Sequence, residues 1–334
     1  MEGVTRPDKL HQIMKINSRW TTGAVAIGAL GMGPALLGQT LFQDNFDTDT
    51  SANWSVYQSS SDTAVFFGYD YSADGIPAAP NSGGSTLGVK FTANMELPAA
   101  GAGLNIVPNG QNFTGAYSVK FDLWMNVNGP FPGGGAGSTE LASMGVGLAG
   151  NGSLMWSGAA PAGTGWFAVT GEGGAAQDFR AYVGSSLQPE GVAYFATGAG
   201  SRDNGNAYYA ATFPGGQTAP TIQSDAFPQQ TGGLSIGTVG MAWRQVEITR
   251  IGDQLTWSID GLPIASLTGT ANGVPLDGNI SVGYFDPFTS VSDNAALSFG
   301  LVDNVRVEVI PEPSTVVLGV MGLAGLVLWG RRRS

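Results

Sequence analysis

Residues 117–127 have the sequence Tyr-Ser-Val-Lys-Phe-Asp-Leu-Trp-Met-Asn-Val. Every second side chain, beginning with Tyr117, is apolar, and the positions between them include Lys120, Asp122, Trp124 and Asn126. Alternation with a period of two is typical of a β-strand that buries one face. The segment therefore predicts a half-buried strand.

A β-hairpin is predicted over residues 246–259. Apolar and polar side chains alternate on both sides of a turn at Gly252–Asp253, and a second turn follows at residues 260–261. Paired alternating runs separated by Gly-Asp and Asp-Gly are typical of antiparallel strands.

The remaining patterns indicate one all-β domain over residues 39–309. Short strand patterns are separated by Gly, Pro, Asn and Asp, and no long helical periodicity interrupts them. Gly and Pro concentrate in long loops between residues 129 and 240. An antiparallel β-sandwich fits this organisation. Its further strands are predicted at residues 86–92, 165–170, 178–183, 192–197, 280–285 and 299–309.

Two segments are similar to laminin-G-like and concanavalin-like jelly rolls. They are Trp243-Arg-Gln-Val-Glu-Ile and, after the Gly-Asp turn, Leu255-Thr-Trp-Ser-Ile-Asp-Gly. The opening residues 42–47 and the closing residues 301–307 also resemble edge segments of these folds. The resemblance implies a jelly roll in which the first and last strands pair, so Leu41–Phe46 is expected beside Leu301–Val307.

Composition excludes many enzyme classes. The 334 residues include no Cys and one His, His11, which lies ahead of the first apolar run. A mature chain without His11 has no imidazole for a catalytic triad, general-base catalysis or metal binding. Residues 40–310 hold 7 Lys or Arg and 22 Asp or Glu, a formal charge of −15. Such a surface repels nucleic acid, so no nucleic-acid partner is expected.

The N-terminal residues 1–38 have the pattern of a secretory leader. From Met14 the chain has a basic start with Lys15 and Arg19, then an apolar run, and polar sequence resumes at Gln39. This order predicts an export signal cleaved between residues 35 and 40. An uncleaved anchor helix is the alternative.

The C-terminal residues 310–334 resemble a PEP-CTERM sorting signal. The motif Pro311, Glu312 and Pro313 precedes an apolar span, predicted to be a transmembrane helix, and the cluster Arg331, Arg332 and Arg333 closes the chain. The resemblance implies a substrate of an exosortase in the inner membrane of a Gram-negative-type bacterium. Such proteins accompany exopolysaccharide production. A plain tail anchor is the alternative.

Residues 145–150 match the dinucleotide pattern G-x-G-x-x-G. That chemistry requires the last Gly to open a helix whose N-terminus holds the pyrophosphate. The following residues predict a turn and a strand instead, so no nucleotide is expected.

A calcium site at the start of the domain is one hypothesis. Asn45, Asp47 and Asp49 alternate as oxygen ligands, and Asp303 is a distant carboxylate able to complete the shell. Ca²⁺ is the only cofactor for which the sequence offers a ligand pattern. The alternative is a solvated acidic edge.

Sugar binding is a second hypothesis. Trp124 and Trp243 fall on the polar faces of their strands, beside Asp122 and beside Gln245 and Glu247. An exposed indole offers a platform for a sugar ring, and neighbouring polar groups orient its hydroxyls. The alternative is that the 129–240 loops cover this face and bury both rings.

The expected function is therefore that of an exported, non-enzymatic protein of the cell surface or extracellular matrix, contacting polysaccharide. Jelly-roll glucanases carry Glu-x-Asp-x-x-Glu on one strand, and this chain has no such triple. A secreted glycoside hydrolase is the alternative, because that chemistry needs two carboxylates and no His.

Processing gives the first testable prediction. The mature protein should lack both the leader and the residues beyond Pro313, because both ends match signals that are removed. Mass spectrometry of the native surface fraction measures this. A recovered mature peptide spanning Ser314 to Arg331 contradicts cleavage at the sorting motif.

Overall fold

The computed structural model describes residues 38–96, 100–150, 152 and 154–311, which form two antiparallel β-sheets packed face to face. No helix within these residues is long and apolar enough to cross a membrane. The predicted leader and sorting signal, including Glu312, Pro313 and Arg331–Arg333, lie outside the described residues apart from Gly38, Ile310 and Pro311.

The first sheet has eight strands in the order β13-β12-β11-β6-β15-β4-β3, and β1 also pairs with β15. The strands are β1 (Thr40–Asp44), β3 (Thr63–Asp70), β4 (Leu87–Ala93), β6 (Tyr117–Asn126), β11 (Arg244–Ile251), β12 (Gln254–Ile259), β13 (Leu262–Thr268) and β15 (Phe299–Val309).

The second sheet has seven strands in the order β10-β9-β8-β7-β14-β5-β2. They are β2 (Trp54–Gln58), β5 (Ala102–Pro108), β7 (Leu141–Leu148), β8 (Gly165–Thr170), β9 (Phe179–Val183), β10 (Ser186–Leu187) and β14 (Asn279–Asp286). The short helices are α1 (Ala207–Ala210), α2 (Thr221–Ala226) and α3 (Gly269–Asn272).

The predicted fold class, an all-β antiparallel sandwich of the jelly-roll type, is confirmed. The alternating segment at 117–127 is β6, and the predicted hairpin is β11 paired with β12. The strand expected at 192–197 is wrong, because that segment makes only an isolated bridge between Tyr194 and Ala265. Gly145 and Gly147 of the dinucleotide-like pattern lie within β7.

The core forms between the inner faces of the two sheets. Phe121 of β6, Val246 of β11 and Trp257 of β12 meet Met144 of β7 and Phe167 of β8 in one hydrophobic cluster. The ring centroids of Phe167 and Trp257 lie 5.3 Å apart across the sandwich. Alternation along β6 thus places its apolar set inside, as the sequence predicts. The expectation that the strand is half-buried is wrong, because its other face is covered as well.

The predicted pairing of the two chain ends is confirmed. Phe42 of β1 is opposite Val307 of β15, and Asp44 is opposite Val305. Phe42 contacts the ring of Trp54 with centroids 5.5 Å apart. The first and last strands therefore lie together at the edge that carries the acidic segment 44–49.

A truncation in the centre of β6 measures the contribution of this core. Phe121 is buried in the inter-sheet cluster, so Phe121→Ala should lower the free energy of unfolding by about 3–5 kcal/mol. Phe66 of β3 is 48% exposed, and Phe66→Ala as a matched control should cost less than about 1 kcal/mol. Urea denaturation of the full-length chain measures both. Equal losses in the two variants contradict the core assignment.

Candidate functional site

Trp124 is not a surface platform for a sugar. Only 4% of the residue is exposed, because it packs in a second hydrophobic cluster on the outer face of the first sheet. Ile76, Leu234 and Met241 from the covering loops belong to this cluster. The alternative reading, in which loops cover this face, is the correct one for Trp124.

Asp122 is also buried and does not orient a sugar directly. Its carboxylate accepts hydrogen bonds from the backbone N of Asn81 at 3.1 Å and from Asn81 Nδ2 at 2.8 Å. Asn304 Nδ2 donates to the same carboxylate at 3.0 Å. Asp122 therefore holds the 79–84 loop and the β15 backbone in one position.

Trp243, Gln245 and Glu247, the other residues of the predicted sugar set (the five residues predicted to bind sugar), reach the surface. Trp243 is half-buried, with its Nε1 donating to the Pro77 carbonyl at 2.7 Å. Gln245 is exposed, and Glu247 lies 3.6 Å from the Lys120 ammonium. The structure brings these side chains to one sheet face, but Asp122 and Trp124 beside them are covered.

Asp303 lies directly opposite Asp122, across the pairing of β15 with β6. Residues directly opposite in an antiparallel sheet have Cβ atoms about 4.5–5.5 Å apart. Asp303 accepts from the Tyr71 hydroxyl at 3.1 Å and from the Asn304 backbone N at 2.7 Å. Burial, with help from the carboxylates of Asp122 and Asp47, raises the pKa of Asp303 to about 7. Sequence reasoning missed this pair because the two acids lie on strands 181 residues apart in the sequence, and only the strand order brings them together.

The predicted calcium ligands are only partly brought together. Asn45 Nδ2 donates to the Asp47 carboxylate, and Asp47 is near enough to act on Asp303. Asp49 is exposed, and its carboxylate accepts from the Ser51 backbone N at 3.0 Å. Within the described residues no three or more acidic or His side chains are arranged to hold a metal ion. The calcium site stays a prediction.

A cleft of about 580 Å³ opens where the edge strand β1 pairs with β15 in the first sheet, and we call it the edge cleft. Its wall is rich in amide side chains, with one cation and one aromatic ring. The lining residues are Phe42, Gln43, Asp44, Asn45, Thr50, Asn53, Asn81, Ser82, Gly83, Asn304, Val305 and Arg306.

Asp122 positions two of these amides. Because Asn81 and Asn304 both donate to the buried Asp122 carboxylate, their carbonyl oxygens remain as acceptors at the cleft. Asp44, behind the cleft, accepts from Trp54 Nε1 at 2.8 Å and from the Phe46 backbone N at 2.9 Å. The polar wall is thus fixed by hydrogen bonds to buried carboxylates.

A second group of buried acids lies where strands of the second sheet end. Burial raises the pKa of Glu172 to about 8 and that of Glu140 well above its usual range. Burial also raises the pKa of Asp286, which ends β14, to about 6. Glu140 interacts with the Tyr284 hydroxyl. No sequence pattern predicts this group of buried acids, because its members come from separate loops and strand ends.

No family model matches the sequence, and no curated protein matches it. The fold is similar to a protein of unknown function with a galectin-like fold from Bacillus subtilis (10% identity, 81% of this chain and 96% of that chain, TM-score 0.38). A β-glucanase from Bacillus licheniformis is also similar (9%, 80% and 97%, TM-score 0.39). So is the carbohydrate binding module CBM66 from Bacillus subtilis (8%, 77% and 95%, TM-score 0.33). The site is therefore argued from this chain's own contacts.

The buried acids predict a stability that falls as the pH rises. In the unfolded chain Glu172 ionises near its ordinary pKa of 4.5, whereas the folded protein keeps it protonated up to about 8. Between these values the unfolded state binds fewer protons, so raising the pH favours unfolding. Asp303, Asp178 and Asp286 act in the same direction.

Denaturation of the full-length chain at about pH 5 and about pH 8 measures this effect. Glu172→Gln should reduce the loss between the two by about 1–3 kcal/mol, since one pKa unit corresponds to about 1.4 kcal/mol. Glu96 is exposed, and Glu96→Gln should leave the loss unchanged. An equal pH dependence in Glu172→Gln and the wild type contradicts the assignment.

Proposed function

We propose that this protein is exported and contacts saccharides at its edge cleft without catalysing a reaction. The observation that carries the proposal is an open polar cleft whose amide groups are held in place by a buried carboxylate. The cleft volume of about 580 Å³ is within the range of small-molecule sites, about 300–1,000 Å³.

The chemistry of the cleft suits neutral sugars. Gln43, Asn45 and Asn53 are exposed amides, and an amide both donates and accepts hydrogen bonds, as a sugar hydroxyl does. Phe42 is half-buried at the same wall and presents an aromatic surface to the apolar face of a pyranose. Arg306 adds donors at the rim.

The absence of catalysis is supported by the state of the carboxylate pair. Asp122 is occupied by three hydrogen bonds from Asn81 and Asn304, and Asp303 by two from Tyr71 and Asn304. Both residues are fully buried. A substrate in the cleft therefore meets the amides that these acids position and not the acids themselves.

A glycoside hydrolase remains a second candidate because of one observation. Asp122 and Asp303 lie directly opposite each other on adjacent strands, and a pair of neighbouring carboxyl groups is what glycoside hydrolysis requires. The pKa of Asp303, about 7, suits a general acid. This function requires the 79–84 loop to move off Asp122.

The cellular role follows from the chain ends. The leader and the PEP-CTERM-like residues 310–334 support export, sorting by an exosortase at the inner membrane, and display at the cell surface or in the extracellular matrix. A surface protein beside exopolysaccharide has sugar as its most abundant neighbour, which fits the edge cleft. We include Ca²⁺ near Asp47 as a further proposal.

Binding of neutral oligosaccharides on a glycan array to the full-length chain tests the saccharide contact. Gln43→Ala combined with Asn53→Ala should weaken binding about tenfold or more, because both exposed amides line the cleft. Asn112 and Gln254 are exposed outside it, and their double alanine variant is the matched control. Loss of binding in Gln245→Ala alone places the contact beside Trp243 instead and overturns the cleft.

A reducing-end assay on the same glycans tests catalysis. We expect no turnover by the wild type. Turnover that disappears in Asp303→Asn, with the fold retained by circular dichroism, overturns the non-enzymatic proposal and supports the hydrolase.

A further inference from the structure

A second pocket, of about 420 Å³, lies beside the second sheet, and we call it the Arg180 pocket. Thr139, Gln177, Arg180, Pro287 and Phe288 line it, with two alanines. None of these residues lines the edge cleft or belongs to the predicted sugar set. The pocket is thus a separate feature of the molecule.

Arg180 is a buried cation without an anionic partner in the described part of the chain. It is 93% buried on β9, yet it forms no salt bridge with a described carboxylate. Its Nε donates to the Gln177 carbonyl at 2.7 Å and its Nη1 to the Tyr182 hydroxyl at 3.4 Å. Buried charges are normally paired, and a guanidinium has five N–H donors. Several donors are therefore free for a ligand.

The acids beside the pocket form no ion pair with this cation. Thr139 interacts with the Glu172 carboxyl, and burial raises the pKa of Glu172 to about 8, so that this carboxyl is largely neutral at pH 7. Asp286 accepts from Asn94 Nδ2 and from the Phe288 backbone N, each at 2.7 Å. Asp178 is likewise held by its own donors, Thr170 Oγ1 at 2.7 Å and the Asn204 backbone N at 2.9 Å.

The walls of the pocket fit a ring as well as an anion. Phe288 is 41% exposed, and Pro287 beside it adds an apolar surface. The apolar face of a pyranose packs on such a surface. The Gln177 side chain makes no hydrogen bond within the described residues and is available to a hydroxyl. A single sugar carrying a carboxylate combines the two requirements.

We propose that the Arg180 pocket binds the carboxylate of a uronic acid residue, with the sugar ring against Phe288. A guanidinium recognises a carboxylate through two parallel N–H···O bonds, which gives strength and direction. The choice of a sugar rests on the proposed saccharide contact, whereas the carboxylate rests on Arg180 alone.

Calorimetric titration of the full-length chain at pH 7 with methyl glucuronide, methyl glucoside, acetate and N-acetylglycine tests the proposal. We expect saturable binding of the glucuronide with a Kd on the order of 1 mM. The glucoside should not bind, since it lacks the carboxylate. Acetate lacks the ring, and its affinity should be lower than that of the glucuronide by about tenfold or more. N-acetylglycine represents a peptide carboxyl terminus, and tighter binding of it than of the glucuronide overturns the sugar assignment.

Two variants locate the site. Arg180→Gln should weaken glucuronide binding about tenfold or more, while Arg250→Gln, which removes a cation paired with Asp277 on the other sheet, should leave it unchanged. If Arg180→Gln does not fold, Phe288→Ser tests the ring contact at an exposed position and should also weaken binding. Equal affinity in wild type, Phe288→Ser and any folded Arg180→Gln overturns the proposal.

The outcome is separable from that of the edge cleft. Variants at Gln43 and Asn53 leave the Arg180 pocket intact, so glucuronide binding should persist in them. Absence of saturable glucuronide binding by the wild type refutes the Arg180 pocket, even where neutral sugars bind the cleft.

Discussion

The pairing of Asp303 with Asp122 holds the first sheet and its cover in one arrangement. Two carboxyl groups opposite each other in a buried sheet repel when both are ionised, and the fold relieves this in two ways. It surrounds Asp122 with donors from Asn81 and Asn304, and it raises the pKa of Asp303 until that group is partly protonated near neutral pH. The donors come from the 79–84 loop and from a β-bulge. The loop and the bulge are therefore fixed by the same pair.

The bulge between Asp303 and Arg306 has a further consequence. Before it, Gly300–Val302 of β15 pairs with β4, and after it Val305–Glu308 pairs with β1. Asn304 adopts a left-handed backbone with φ 55°, which Asn tolerates better than most residues, and its amide reaches Asp122. Along one side, β15 thus pairs first with β4 and then with β1. The edge cleft opens between these two partner strands.

Burial on both faces does not by itself hide a strand, since the sequence predicts β6, β8 and β14 although both faces of each are buried. Alternation identifies β6, β11 and β12 because their inner positions are consistently apolar. In β5 and β7 both faces are buried and glycines replace large side chains, so no period of two is visible. A Cβ at Gly147 would collide with the Pro275 carbonyl oxygen, and φ at Gly147 is 74°, so β7 requires glycine there. The prediction of an exposed Trp124 failed because its cover comes from loops distant in the sequence, which supply Ile76 and Leu234.

The covering loops also decide where a ligand can reach the protein. Because Trp124 and Asp122 are enclosed, the polar groups that a ligand can reach lie at two margins of the sandwich. One margin is where β15 stops pairing with β4 and begins to pair with β1, and the other is where β9 meets the loop after β14. At the first margin the buried Asp122 carboxylate orients two amides, and at the second Glu172 is largely protonated at pH 7 and Arg180 forms no salt bridge with a described carboxylate. A chain this acidic therefore presents a neutral amide surface at one margin and a positive one at the other. Those two surfaces suit different groups of a sugar polymer, its hydroxyls and its carboxylates.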